Sequence, residues 1–185
     1  MVDDAPPARR AFWVDPADDP RETDELPVGE VVTLRQYLDR YRTTFAMKCD
    51  GLTPAQLADR SVPPSTMSLL GLVRHLARME HHWFRRTLEG QGELPPLYAS
   101  TEEPDLDFDG AVPTEECVGE AWRSWEREVA HARAVYARYD DLGHRFIPGE
   151  PWEARGVVVH MLEEYARHCG HADLLRERID GRTGQ

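Results

Sequence analysis

The stretch His160-Met-Leu-Glu-Glu-Tyr-Ala-Arg-His168-Cys-Gly-His171 decides how the rest of this chain reads. A helix turns about 100° per residue, so groups three or four positions apart share a face. With His160 at zero, Glu164 falls at about 40°, His168 at about 80° and His171 at about 20°. Cys169 lies at about 180°, on the far side. Four groups able to bind a metal or move a proton thus form one narrow stripe, two to three turns long.

Working outward, the pattern around the stripe is helical throughout. Val157-Val158-Val159 resembles a strand, but it runs on into Leu162, Tyr165, Ala166 and Leu174 at helical spacing. This last helix is expected from Pro151 or Trp152 to Ile179, stopped by Asp180-Gly181. The helix before it is capped by Thr114 and carries Cys117, Ala121, Trp122, Trp125, Val129, Ala132 and Tyr136. Another spans Ser68 to Glu89, with Leu69, Leu72, Val73, Leu76, Met79 and Trp83 on its apolar face and His75 beside it. The first helix reads from Thr33, with Gln36 completing a capping box, to Cys49. Thr53-Pro54 starts a short helical turn.

Between Glu93 and Pro113 more than twenty residues lack periodicity, with the acidic run Asp105-Leu-Asp-Phe-Asp109 in their middle. So long a connection inside a compact domain suits a crossover running the length of a bundle, as non-neighbouring consecutive helices would require. The predicted fold is an all-α four-helix bundle with a long crossover between its second and third helices. Residues 33–180 form the bundle and 181–185 a short tail. Residues 1–32, with five of the fourteen prolines and many acids, form an extended arm that Phe12 and Trp13 could pin to the body.

Composition narrows the function. The chain has 185 residues, 41% hydrophobic and 30% charged, enough for one domain with a proper core. Its formal net charge is −12 and it has no basic run, which argues against nucleic acid or an anionic membrane as partner. No apolar run reaches the roughly 18–20 residues of a membrane span, and the first residues lack the pattern of a signal peptide. Three scattered cysteines, Cys49, Cys117 and Cys169, fit a reducing compartment, so a cytoplasmic protein is expected.

A divalent-metal site needs about three N or O donors from at least two elements. Glu164 and His168 form one matched i, i+4 pair, and His160 and Glu164 another. His75 is the best third donor from another helix, although a lone histidine on an apolar face is usually a hydrogen-bonded core residue. His82 lies on nearly the same face, but two turns away (roughly 10 Å). His131 and His144 read as surface residues. No phosphate loop, Gly-x-Ser-x-Gly elbow or His-Glu-x-x-His motif is present.

Two stretches, Ser68-Leu-Leu-Gly-Leu-Val-Arg-His75-Leu-Ala-Arg-Met-Glu-His-His-Trp-Phe84 and His160 to Gly170, resemble the metal-histidine helices of the DinB/YfiT-like bundles. That family includes the mycothiol-dependent maleylpyruvate isomerases. With Met47-Lys-Cys-Asp-Gly-Leu52 and Val62-Pro-Pro-Ser-Thr66, the likeness covers about residues 33–180. It implies a divalent ion, zinc or nickel, held by His75, Glu164 and His168. His160 with Glu164 and His168, or Glu164 with His168 and His171, are the alternative registers. It also implies a homodimer and activation of a low-molecular-weight thiol, such as mycothiol, for S-transfer or isomerisation of a small-molecule substrate. The other reading is a non-catalytic homodimeric bundle with a structural or vestigial metal site. Arg74, Arg167 and Arg176 are candidates to hold an acidic substrate.

Overall fold

The computed structural model describes residues 13–23, 26–146 and 150–184. The chain is all-helical, and no strand occurs among the described residues. Helix α1 spans Glu30–Cys49, α2 Pro54–Leu57, α3 Leu69–Glu80, α4 Leu106–Asp109, α5 Glu115–Tyr136 and α6 Ala154–Asp180. A π-helical segment, His81–Leu88, continues α3 without a break.

Local chemistry explains most ends. The hydroxyls of Ser68 and Thr114 accept from Gly71 N and Cys117 N, capping α3 and α5. Thr53 and Gln56 make a reciprocal capping box at α2. Gly181, at φ 76°, closes α6 in the left-handed conformation open to glycine. The start of α1 departs from expectation. Gly29 rather than Thr33 occupies its N-cap, and the Thr33 hydroxyl donates to Pro27 O at 2.7 Å instead. The chain before the helix folds back over its first turn, so the Thr33 side chain bonds outward.

Ion pairs reveal how the long helices run. Arg74 faces Glu120 near the starts of α3 and α5, and Glu89 meets His131 at 2.6 Å farther along both. These two helices are therefore neighbours and parallel. Between α1 and α6, Arg155 pairs with Glu30 and Lys48 with Asp173, so this pair is parallel as well. Trp83 against His160 and His75 against Glu164 set α3 antiparallel to α6. The crossover is thus needed because α3 and α5 point the same way, not because they are apart. Its chain must return the full length of α3 before α5 can begin.

Leu38 and Phe45 of α1, Leu72 and Leu76 of α3, Ala132 of α5 and Met161 of α6 are sealed in one core. Each fully buried large apolar side chain is worth about 1.5–3 kcal/mol. Through the core runs a polar chain. The Trp125 indole donates to the Tyr165 hydroxyl (2.9 Å), which donates to Glu80 (2.8 Å), and Glu80 takes two bonds from Arg42. Tyr165 is a packing residue, sealed in the core.

Trp13 is buried, with Lys48 and Arg182 each 4.0 Å from its ring centre. One of the two aromatics expected to pin the arm thus does so; Phe12 lies outside the described residues.

Candidate metal centre

The Ser68 cap and the apolar stripe of α3 fix the helix so that His75 points toward α6. The Met161 and Tyr165 face of α6 packs into the core and leaves Glu164 and His168 turned toward His75. One ligand-capable atom of each of these three residues lies within 4.8 Å of the others. His75 Nε2 and His168 Nε2 each stand 3.4 Å from the same Glu164 oxygen, Oε2.

Those distances are informative. Good N–H···O hydrogen bonds cluster at about 2.9–3.0 Å, so 3.4 Å is long. Two ligands about 2.0–2.1 Å from one ion, at tetrahedral angles, stand about 3.3–3.4 Å apart. Two imidazoles and one carboxylate from two helices also form the donor set of open zinc-type sites. The residues therefore fit a divalent ion.

Electrostatics agree. The His168 and His75 rings facing it hold the Glu164 carboxyl well below the usual range, against the opposing effect of burial. Burial disfavours a charged His75, yet the Asp107 and Glu164 carboxylates more than offset it and raise its pKa. The two carboxylates therefore favour positive charge at His75, whether a proton or a cation in its place.

The flanking histidines lie outside this trio. His160 Nε2 is 3.7 Å from the other Glu164 oxygen, and its ring tilts against Trp83 at 4.4 Å. His171 Nδ1 sits 3.2 Å from His168 Nδ1, on the side away from Glu164. His82 packs edge-on against Trp83. His131 is bonded to Glu89, and His144 lies beside Tyr139.

Two of the three arginines singled out for substrate are structural. Arg74 is buried, bonds the carbonyls of Leu106 and Asp107 and stacks on Tyr98. Arg176 is buried against the Lys48 and Asp50 carbonyls. The Arg167 side chain stays 59% exposed, 3.4 Å from Glu164 Oε1, at the rim of the cluster.

The sequence reading missed Asp107 and Phe108. Asp107 Oδ2 lies 2.9 Å from His75 Nδ1, and Phe108 stacks on the His75 ring at 5.2 Å. The acidic run was visible, but nothing in its spacing marks which aspartate turns inward. A cleft of about 500 Å³ opens elsewhere, between α1, α6 and residues 16–22. It holds none of the trio, and its Arg40 and Lys48 are paired with Glu22 and Asp173.

The family profile described as Mycothiol-S-transferase matches residues 33–181. The chain belongs to that family. The match spans His75, Asp107, Glu164 and His168, and agrees with the DinB/YfiT-like resemblance. Membership in the Mycothiol-S-transferase family points to a mycothiol-related transferase activity. No curated protein and no solved structure matches the chain. Among the described residues, no helix is long and apolar enough to cross a membrane.

Proposed function

We propose that this protein is a divalent-metal-dependent S-transferase, with His75, Glu164 and His168 as ligands and mycothiol as the thiol. The observation that carries this reading is the convergence of the three donors, both histidines 3.4 Å from one Glu164 oxygen, in a chain of this family.

His75, Glu164 and His168 would hold a divalent ion whose charge would lower the pKa of a nearby thiol from about 8.5 toward neutral pH. The chain's own residues do the rest. Glu164 supplies one negative charge between two neutral imidazoles, which leaves the filled site with net charge near +1. Phe108 and the buried Asp107 cover one side of His75 and keep water from it. Arg167 stands exposed at the rim, where it can meet an anionic group of the electrophile. His160, also at the rim, can hydrogen-bond a polar one.

The long helices are read as a four-helix bundle of DinB/YfiT type, with zinc or nickel as the ion. A homodimer belongs to the same reading, on the DinB/YfiT-like resemblance. The family match favours the transferase over a non-catalytic bundle.

The test is elemental analysis of the purified protein beside His75→Ala and His168→Ala, followed by thiol transfer to a chromogenic electrophile with mycothiol. One ion per chain, lost in both variants together with turnover, supports the reading. A folded wild type that takes up no added zinc, nickel or cobalt sinks it.

A further inference from the structure

We infer that Asp107, carried on the crossover, is the positioning residue of this centre, fixing the ring and tautomer of His75. The inference rests on the metal-centre reading above and adds a residue on another element to it.

Asp107 is 1% exposed, whereas Asp105 and Asp109 on either side of it are exposed. A buried carboxylate costs several kcal/mol unless its oxygens are matched by donors. Here they are. Oδ2 receives His75 Nδ1 at 2.9 Å and Arg78 Nη1 at 3.1 Å, and Oδ1 receives the Phe108 amide at 3.1 Å. A neutral imidazole has one N–H donor and one bare nitrogen. With Nδ1 donating to Asp107, the lone pair falls on Nε2, the nitrogen that faces Glu164. Metal-bound histidines commonly depend on such a partner for orientation and basicity.

The carrier is itself held in place. Arg74 donates to Leu106 O (2.9 Å) and Asp107 O (3.0 Å), and Arg78 donates to Pro104 O (2.8 Å). These arginines, four residues apart on α3, bracket His75 and grip the backbone that leads into α4, from Pro104 to Asp107 itself. Gly71 leaves room for Phe108, since a Cβ there would come within 2.9 Å of the phenyl ring. The long connection therefore acts as a third wall of the centre and not only as a link.

The experiment compares zinc affinity, by chelator competition, and the cobalt(II) absorption spectrum in wild type, Asp107→Asn, Asp107→Ala, Arg78→Ala and Asp109→Ala. Thermal unfolding of each metal-free protein is followed alongside. Asp107→Asn keeps the shape, so it retains the fold if the alanine variant does not. Loss of Asp107 weakens zinc binding about 10–100-fold and changes the cobalt spectrum. Arg78→Ala, which leaves the Asp107–His75 bond in place, costs far less affinity, and Asp109→Ala changes nothing. A role confined to bracing α4 would instead make Arg78→Ala and Asp107→Asn equal in affinity, and that result overturns the inference. Unchanged affinity and spectrum in folded Asp107→Asn overturn it too, while the metal centre stands. Absence of metal binding in wild type overturns both.

Discussion

The Glu80 carboxylate receives Arg42 Nε at 2.8 Å and Arg42 Nη2 at 2.7 Å, in an interior where Glu80 has no exposed surface. This two-pronged pair ties α1 to α3, and the Tyr165 hydroxyl on Glu80 Oε1 adds α6. The attraction of Glu80 keeps the Arg42 guanidinium charged in spite of complete burial. Removing one partner leaves a buried charge alone, so Glu80→Ala is expected to cost about 3–5 kcal/mol of stability. The double variant Arg42→Met, Glu80→Leu should lose less than Glu80→Ala alone. Urea unfolding followed by circular dichroism reads both, and additive losses would count against a coupled pair.

Metal binding couples to folding because an ion that binds only the native state stabilises it. At about a thousandfold excess over the dissociation constant the gain is about 4 kcal/mol, or roughly 8–16 °C for a domain of this size. Zinc should raise the melting temperature of wild type on that scale, and a chelator should reverse it. His75→Ala should show almost no shift. A shift of the same size in His75→Ala would place the stabilising ion elsewhere.

The three thiols differ in access. Cys49 and Cys169 are buried, and burial pushes the Cys169 thiol up to about 12 and the Cys49 thiol higher still. Cys117 is half-buried at the start of α5. A neutral maleimide or disulfide reagent should therefore label Cys117 first in the native protein. The other two should react on the timescale of unfolding. Mass spectrometry of labelled peptides separates the three, and fast native labelling of Cys49 would contradict the packing around Phe45.

Glycines on α3 and α6 should respond in opposite ways to alanine. At Gly71 the new methyl meets Phe108 Cδ1 at 2.9 Å, so α4 must shift, at a cost of about 1–3 kcal/mol. Zinc affinity should fall with it. At Gly156 nothing lies within 4 Å, and better helix propensity should yield a gain of about 0.5 kcal/mol. Denaturant midpoints and a zinc titration test both. Equal effects at the two positions would show that α4 does not depend on the space beside Gly71.

Much of the site was legible in sequence because helix periodicity is local. Glu164 and His168 four positions apart must share a face of α6, and Thr114 caps α5 through a bond within its own first turn. His75 was harder: its neighbours place it beside an apolar stripe, but only the packing of α3 against α6 brings its Nε2 to Glu164. The arginines show the limit plainly. Arg74, Arg167 and Arg176 look alike along the chain, and burial against particular carbonyls is what separates two structural residues from the exposed one.

What the sequence alone determined was the short-range part: helical elements, the caps at Thr53 and Thr114, the histidine–glutamate stripe of α6 and the length of the crossover. Tertiary structure decided the parallel course of α3 and α5, the bond between Arg42 and Glu80, and the burial of Asp107 while Asp105 and Asp109 stay outside. Each depends on groups far apart in the chain, 38 residues for Arg42 with Glu80 and 32 for His75 with Asp107. Periodicity tells which face of a helix turns inward. The partner that face meets, and which of three aspartates satisfies the half-buried His75 imidazole, is settled only when the whole core closes around them.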